Sequence, residues 1–333
     1  MRAVVMQGLH RPLAVENVPD PTPGDGEVVV RVGRCGICGS DLHMTEDAGY
    51  GKQPGDVLGH EFSGEVVAIG REVERVVPGD LVSVIPLKSC GTCASCRAGE
   101  PAWCAQFALQ GGGYAEYALT RPNQCVILPR SASLADGAII EPLAVALHGL
   151  NMSGLGTGDR VLILGAGPIG LAVAFWARRA GAARVVVQDI ADHQRDRAAA
   201  LGATGFVVDP ADPVGSAERA LGGKADIVFE CVGLPGLIAQ AVDQVRARGT
   251  ILLLGLCNRP DSFNSFAMLS KEVRLVTSAF FTRQEYEAAL DALDAGAVAP
   301  RQLVTATIPL DATPARFEAL RRRTDDCKVL IAP

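Results

Sequence analysis

Four cysteines stand close together in the segment SCGTCASCRAGEPAWC, with the spacing C-x2-C-x2-C-x7-C. Four thiolates at this spacing are suited to surround one tetrahedral Zn²⁺, and a site closed in this way leaves no position for a substrate. Two disulfides or an iron–sulfur cluster are the alternatives. A reducing compartment disfavours the first, and the last spacing does not fit the bacterial ferredoxin pattern. We therefore predict a structural zinc site formed by Cys90, Cys93, Cys96 and Cys104.

A second group of reactive side chains lies in CGICGSDLH and in the GHE triplet that follows it. These segments contain thiols, a hydroxyl, two imidazoles and carboxyl groups, which are the side chains used for metal binding and proton transfer. A single Cys or His is more often a buried core residue than a ligand, so the spacing alone does not define a site. The candidates are Cys38, Ser40, His43, His60 and Glu61.

A glycine-rich turn follows a short apolar run in the segment RVLILGAGPIG, residues 160–170. Gly165, Gly167 and Gly170 form the G-x-G-x-x-G pattern before an apolar helical stretch, which is the strand, turn and helix of a dinucleotide-binding unit. The glycines allow a tight turn and close approach of the pyrophosphate, and the helix N-terminus offers free N–H groups. A second apolar run ends at Asp189, where an acid is placed to bind both ribose hydroxyls of NAD.

Composition places the chain among globular proteins. It has 333 residues, of which 48% are hydrophobic and 20% charged, enough for two domains with their own cores. The net charge of -6 argues against a nucleic-acid or anionic-membrane partner. No apolar run is long enough to span a membrane, and the first residues lack the apolar core of a secretory signal, so we expect a soluble cytoplasmic protein.

The sequence pattern changes near residue 134, which indicates two domains. Before that point, short strands such as 27–32, 63–67 and 80–84 are separated by Gly and Pro turns, as in a compact β domain. Afterwards, helices alternate with six buried strands, which predicts an α/β fold with a doubly wound parallel sheet. A helix at 284–295 and strands at 304–308 and 328–331 are expected to return to the first domain. The predicted domains are 1–141 with 279–333, and 142–278.

These motifs together resemble the zinc-dependent medium-chain alcohol dehydrogenases. The similarity covers essentially the whole chain in the family's order, through CGICGSDLH, GHEFSGEVVAIG, the four-cysteine loop, EPLAVALHG and GAGPIG. The closest branch is that of the polyol (sorbitol) and threonine dehydrogenases. The resemblance implies a GroES-like catalytic domain, an NAD-binding Rossmann domain, and hydride transfer from a secondary alcohol to NAD beside a Lewis-acidic zinc.

The resemblance also implies roles for the second group of side chains. Cys38 and His60 match the ligands of a catalytic zinc, and Glu61 and Glu141 match carboxylates of the polyol branch. Which carboxylate binds the metal directly stays open at this point. Ser40 is expected to accept the proton of the alcohol, and His43 is expected to pass it on.

The cofactors implied are NAD and two Zn²⁺ per chain. Asp189 favours NAD, because NADP enzymes commonly carry a small residue or an arginine at that position. The family pattern assigns further residues to cofactor binding, namely Pro168, Ile169, Val232 and Leu254. A homodimer or homotetramer is expected, paired through the strand at 274–277.

The sequence leaves two substrate classes possible, because the metal-site carboxylates and the expected pocket lining point to different ones. The carboxylates resemble the polyol branch and favour a polyol, sugar or amino alcohol, whereas the expected pocket lining favours an apolar, cyclic secondary alcohol. Two other protein classes remain: a zinc-free quinone or enoyl reductase of the same fold, and a non-catalytic dinucleotide- and zinc-binding protein. The residues expected to line the pocket are Met44, Tyr50, Phe107, Leu109, Phe280 and Phe281.

Overall fold

The computed structural model describes residues 1–322 and 324–333, which fall into two units. The first unit comprises Met1–Glu141, Thr282–Ala297 and Val304–Pro333, and the second comprises Pro142–Phe281 and Val298–Leu303. The predicted boundaries differ at two places, since residues 279–281 and 298–303 belong to the second unit. The reason at the second place is packing, because the 3₁₀ helix Ala299–Leu303 contacts two helices of that unit.

The first unit contains a mixed, mostly antiparallel sheet with connecting helices. Elements are numbered in chain order: β1 (Arg2–Val5), β2 (Ala14–Asn17), β3 (Val28–Gly36), α1 (Gly39–Met44), β4 (Glu61–Ile69), β5 (Leu81–Val84), β6 (Leu87–Lys88), α2 (Ala94–Arg97), β7 (Ala108–Leu109), β8 (Tyr117–Thr120), β9 (Cys125–Ile127) and α3 (Leu134–Ser153). The part of α3 from Pro142 onward belongs to the second unit.

The second unit alternates strands and helices. Its elements are β10 (Arg160–Leu164), α4 (Pro168–Arg179), β11 (Arg184–Gln188), α5 (Arg195–Ala200), β12 (Gly205–Val207), α6 (Pro213–Leu221), β13 (Ala225–Glu230), α7 (Leu237–Gln244), β14 (Val245–Leu253), α8 (Ser265–Lys271) and β15 (Arg274–Thr277). The chain then returns to the first unit with α9 (Arg283–Asp294), β16 (Val304–Pro309), α10 (Thr313–Ala319) and β17 (Lys328–Ala332).

The main sheet of the first unit has the order β16-β17-β3-β4-β5-β9, with β8 also paired to β3. The central strands β3 and β4 carry alternating and continuous runs of buried residues around one apolar core, as expected where a sheet is covered. The C-terminal strand β17 pairs antiparallel with β3, and Gly36 on β3 pairs with Glu61 on β4. The register therefore brings the end of the chain next to the GHE triplet.

The sheet of the second unit is parallel throughout, with the order β12-β11-β10-β13-β14-β15. This is the strand order of a doubly wound dinucleotide-binding fold. The predicted α/β class with a Rossmann sheet and a separate mostly β domain is confirmed. In the described part of the chain, no helix is both long and apolar enough to cross a bilayer.

Candidate metal and cofactor sites

Cys38 stands at the N-terminus of α1, where the chain leaves β3. Its backbone is extended (φ -102°, ψ 150°), and its thiol accepts from the N–H of Asp41 in a capping box. In return, the backbone N–H of Cys38 donates to Asp41 Oδ2 at 3.1 Å. These two bonds satisfy free N–H groups of the first turn and fix the thiol at the end of the helix.

His60 is oriented by two buried partners. Its Nδ1 lies 3.2 Å from Asp41 Oδ1, and the hydroxyl of Tyr114 donates to Asp41 Oδ2 at 2.7 Å. Burial lowers the pKa of His60, but the charge and hydrogen bond of Asp41 outweigh it and hold that pKa well above its usual value. A carboxylate on Nδ1 leaves Nε2 as the donor atom and increases its basicity, which is how metal-binding imidazoles are commonly supported.

Glu61 forms a buried ion pair with Lys328, the first residue of β17. Lys328 Nζ lies 2.7 Å from each carboxylate oxygen and donates to Ile37 O at 3.1 Å. Burial lowers the pKa of Lys328, but Glu61 outweighs it, so the net shift is upward and the ammonium stays charged. The carboxylate fits here because residue 36 is glycine: a Cβ at Gly36 would stand 2.0 Å from Glu61 Oε2.

The donor atoms of Cys38, His60 and Glu61 lie within 4.8 Å of one another. A thiolate, an imidazole and a carboxylate are three ligand types that Zn²⁺ accepts, and three protein ligands leave one position open in a tetrahedral site. The residues present therefore fit a zinc of the catalytic type. Ser40 Oγ adjoins this group, 3.2 Å from Cys38 Sγ and 3.5 Å from His60 Nε2. His43 is half-buried and lies one turn further along α1.

Glu141 lies outside this group of donors, on the long helix α3. Its side chain is buried, and burial raises its pKa to about 7, with smaller contributions from His60, which lowers it, and from Glu61, which raises it. The carboxyl group is therefore close enough to His60 and Glu61 for their charges to shift its pKa. It titrates near neutral pH.

The four cysteines predicted to bind structural zinc converge in one loop. All four Sγ atoms lie within 4.8 Å of one another, and Cys90 Sγ is 3.9 Å from Cys96 Sγ. Tetrahedral zinc thiolates have sulfur–sulfur separations of about 3.8 Å, so these positions fit the metal. Gly91 (φ 76°) and Gly99 (φ 82°) supply the left-handed turns that fold the loop back. Hydrogen bonds from Thr92 lower the pKa of Cys90 to about 6, which favours the thiolate.

The glycine-rich turn of the second unit has the geometry of a phosphate-binding turn. Gly165 adopts φ 99°, and a Cβ at Gly170 would stand 2.0 Å from Gly165 O, so both positions need glycine. A Cβ at Gly167 would meet open space, so this backbone is accessible. Gly167 is the N-cap of α4, whose first residue Pro168 has no N–H, so the free N–H groups of the first turn are those of Ile169 and Gly170.

Asp189 joins this turn to the adjacent strand end. It follows β11, and its Oδ2 accepts from the N–H of Ala166 at 2.8 Å while its Oδ1 accepts from Ile190 at 2.6 Å. Val232 follows β13, and Leu254 follows β14. All of these residues lie at the carboxyl ends of parallel strands, which is where doubly wound sheets bind ligands.

Sequence reasoning missed three of the residues that shape the metal site. Asp41 carried a local signal, because an acid three residues after an N-cap is typical of a capping box. Tyr114 and Lys328 carried none, since each approaches from a different part of the sequence. Of the predicted pocket lining, Met44 and Leu109 border a narrow void beside His60, whereas Phe281 is only 2% exposed and is a core residue.

The two sites define a class of protein: a dinucleotide-dependent oxidoreductase with a zinc-type donor set. Comparison with known protein families supports this class. Residues 24–130 match the family model "Alcohol dehydrogenase GroES-like domain", and residues 168–295 match the family model "Zinc-binding dehydrogenase". Sorbitol dehydrogenase of Bos taurus is 32% identical, over 94% of this chain and 92% of its own length. L-threonine 3-dehydrogenase of Saccharopolyspora erythraea is 38% identical over 77% of both chains.

A solved structure extends the similarity to the fold of the whole chain. An alcohol dehydrogenase of Escherichia coli CFT073, in complex with NADH, has a TM-score of 0.91 and 28% identity, covering 100% of this chain and 99% of its own. The chain belongs to the zinc-binding alcohol dehydrogenase family. It is an oxidoreductase of alcohols that uses zinc and a nicotinamide dinucleotide, and the zinc-free reductase is disfavoured.

Proposed function

We propose that the protein is an NAD-dependent dehydrogenase of polyols, sugars or amino alcohols, with a catalytic and a structural zinc in each chain. The observation that carries this proposal is the convergence of Cys38, His60 and Glu61 within 4.8 Å, with Ser40 against two of them. When bound, the zinc supplies a Lewis acid for the alcohol oxygen, and NAD accepts the hydride.

The chain's own residues then hold and move the proton. Asp41 fixes the ring of His60 so that Nε2 faces Cys38 and Ser40. Ser40 Oγ accepts the proton of the alcohol, since it is the hydroxyl that adjoins the donor group. His43 is three residues further along α1 and therefore on the same face, from which it exchanges the proton with solvent.

The two carboxylates have different parts in this proposal. Glu61 serves as the carboxylate ligand, with its charge shared with Lys328. Glu141 acts from outside the ligand set, because its carboxyl group is buried and its pKa is raised to about 7. A group that changes protonation near neutral pH is suited to exchange protons with a bound alcohol.

NAD is proposed as the preferred cofactor because of Asp189. Its carboxylate stands at the end of β11 and accepts the backbone N–H groups of Ala166, Ile190 and Ala191, which hold it in place. A fixed negative charge there binds ribose hydroxyls and repels the 2′-phosphate of NADP. The same proposal assigns Gly165, Gly167, Pro168, Ile169 and Gly170 to the pyrophosphate, and Val232 and Leu254 to the nicotinamide half.

The polyol class is favoured over a cyclic apolar alcohol by two observations. Phe281 is buried, so this part of the predicted apolar lining is not available. The relatives described above are named as sorbitol and threonine dehydrogenases. The test is NADH formation with sorbitol, xylitol, L-threonine and cyclohexanol, each at equal concentration. Turnover confined to cyclohexanol would contradict the polyol assignment, and turnover of none would contradict the dehydrogenase.

We also propose that the protein is a homo-oligomer located in the cytoplasm. The strand β15 is an edge of its sheet, and Leu275 on it is 37% exposed. Helix α8, directly before it, exposes Phe266 and Leu269 by 71% and 72%. An unpaired strand edge with exposed apolar side chains favours pairing with the same edge of a second copy. None of the ten cysteines, all of which lie in the described part of the chain, forms a disulfide, which suits a reducing compartment and thiolate ligands.

A further inference from the structure

Glu230, the last residue of β13, is a buried acid that none of the roles proposed above uses. The residue is 4% exposed. It stands at the carboxyl end of the parallel sheet, where β10 and β14 flank β13 on its two sides. Doubly wound sheets bind their ligands at this edge.

The side chain of Glu230 holds the loop that follows β13, residues 231–233, called here the β13 loop. Its Oε1 accepts from the backbone N–H of Val232 at 2.7 Å and from that of Gly233 at 2.8 Å. These two bonds fix the course of the loop, because a different course would leave two N–H groups without their acceptor.

The backbone of the same residue holds the loop that follows β14, residues 254–256, called here the β14 loop. The carbonyl oxygen of Glu230 accepts from the N–H of Leu254 at 2.8 Å and from that of Gly255 at 3.0 Å. Glu230 therefore accepts four backbone N–H groups, two from each loop.

Two glycines allow the β13 loop and the β14 loop to lie directly against each other. A Cβ at Gly255 would stand 2.2 Å from Gly233 N and 2.6 Å from Glu230 Oε2. A Cβ at Gly233 would stand 2.3 Å from Leu256 O. A side chain at either position would collide with backbone, so the two loops and the carboxyl group of Glu230 pack as one piece.

The β13 loop also contacts the glycine-rich turn. A Cβ at Gly165 would stand only 2.6 Å from Val232 Cγ2. Val232 is nevertheless 43% exposed, so its side chain also presents an apolar surface beside this turn. Through the N–H of Val232, Glu230 thus fixes an exposed apolar side chain next to the turn that we assign to the pyrophosphate.

We propose that Glu230 is a positioning residue for the nicotinamide half of the cofactor, because it holds the β13 loop and the β14 loop in the arrangement that this half binds. The inference rests on the proposed function, which assigns Val232 and Leu254 to the nicotinamide half. Glu230 acts through the backbone of both loops, as buried groups behind a binding site commonly do.

The test compares NADH and AMP as ligands of the full-length zinc-loaded enzyme, by calorimetry and without an alcohol. AMP lacks the nicotinamide half. In Glu230→Ala, the dissociation constant of NADH should rise about tenfold, as for the loss of one hydrogen bond to a carboxylate, and that of AMP should stay at the wild-type value. Glu230→Gln keeps an acceptor oxygen for the two N–H groups, so it should restore most of the affinity for NADH.

A second variant changes the loops without changing the acid. Gly255→Ala adds a methyl group where Gly233 N stands, so it should separate the two loops and weaken NADH while leaving AMP unchanged. It keeps the proposal testable if Glu230→Ala does not fold.

The matched control is Asp226→Asn, at the other end of the same strand. Asp226 pairs with Arg160 and Arg246, away from both loops. Asp226→Asn should lower the unfolding temperature and leave the dissociation constants of NADH and AMP unchanged. A purely stabilising role of Glu230 would give this same result in Glu230→Ala.

Two outcomes would overturn the proposal. One is an equal loss of NADH and AMP affinity in Glu230→Ala, and the other is wild-type affinity for NADH in both Glu230→Ala and Gly255→Ala. The alcohol does not enter this measurement, which separates it from the proposed function. Weakened NADH in the two variants, with no turnover of any polyol, sugar or amino alcohol by the wild type, would support Glu230 and contradict the proposed substrates. Turnover of sorbitol with unchanged NADH affinity in both variants would do the reverse.

Discussion

Cys38 has two tasks at one position, because its backbone starts α1 while its thiol points to His60 and Glu61. We predict that Cys38→Ser lowers turnover by more than about 100-fold and removes one zinc per chain, because a hydroxyl is a poor zinc ligand. The other zinc and NADH binding should remain. Metal analysis and NADH fluorescence check this.

The control for this prediction is Cys257→Ser, an identical change at an exposed cysteine outside both donor groups. It should keep both metals and full activity. Retained turnover in Cys38→Ser would show that the thiol is not part of the catalytic site.

Glu141 gives the unfolding free energy a characteristic pH dependence. Its pKa is raised from 4.5 to about 7 on folding, so between these values the unfolded state ionises while the folded state keeps the proton. Stability therefore falls as pH rises through this window, by at most about 3 kcal/mol from this group. Glu141→Gln should lack that decrease, and urea unfolding of the zinc-free protein at pH 5 and pH 7.5 checks it.

This difference between wild type and Glu141→Gln is the quantity to compare, since other groups titrate equally in both proteins. If the unfolding free energies of wild type and Glu141→Gln change with pH in parallel, Glu141 ionises normally in the folded state.

At the scale of elements, buried hydroxyls hold the first turns of α3 against the sheet of the first unit. Ser83 Oγ donates to Gly137 O at 2.6 Å and lies against the hydroxyl of Tyr286, which donates to Val84 O at 3.2 Å. Ser63 donates to Leu134 O in the same turn. Gly137 precedes Glu141 by one helical turn, so these bonds set where the carboxyl group stands.

We predict that Ser83→Ala destabilises the fold by about 1–3 kcal/mol, because it leaves a buried partner unsatisfied. It should also shift the pH midpoint of kcat, since Glu141 then moves relative to the donors. The matched control is Ser153→Ala, which removes a hydroxyl bound to Leu150 O on the same helix within the second unit. Urea unfolding and a pH profile of both variants check this. If the pH midpoint of kcat is unchanged in Ser83→Ala, these hydroxyls only stabilise the fold and do not position Glu141.

At the scale of the whole molecule, the sheet of the second unit ends in the exposed edge β15. We predict that Leu275→Glu converts the proposed oligomer into monomers, because charges at an edge strand oppose edge-to-edge pairing. Sedimentation velocity measures the change. Val298→Glu is the control, since Val298 is 62% exposed in the same unit and lies outside the sheet. An unchanged sedimentation coefficient in Leu275→Glu would place the interface elsewhere.

The sequence by itself determined the features that depend on neighbouring residues. The cysteine spacing predicts a four-thiol loop because the ligands are close along the chain, and the loop has that geometry. The glycine pattern and Asp189 predict the turn because strand, turn and helix are local, and Asp189 does bind the turn through Ala166. Strand and helix periodicity gave the fold class for the same reason.

Only the tertiary structure decided what depends on residues far apart in the chain. Lys328 pairs with Glu61 across 267 positions, because the register of β17, β3 and β4 joins them, and no local pattern encodes that register. Likewise, apolarity alone does not separate a pocket wall from a core, so Phe281 was predicted as lining and is buried. Burial is a property of the packed molecule, and it also sets the raised pKa of Glu141.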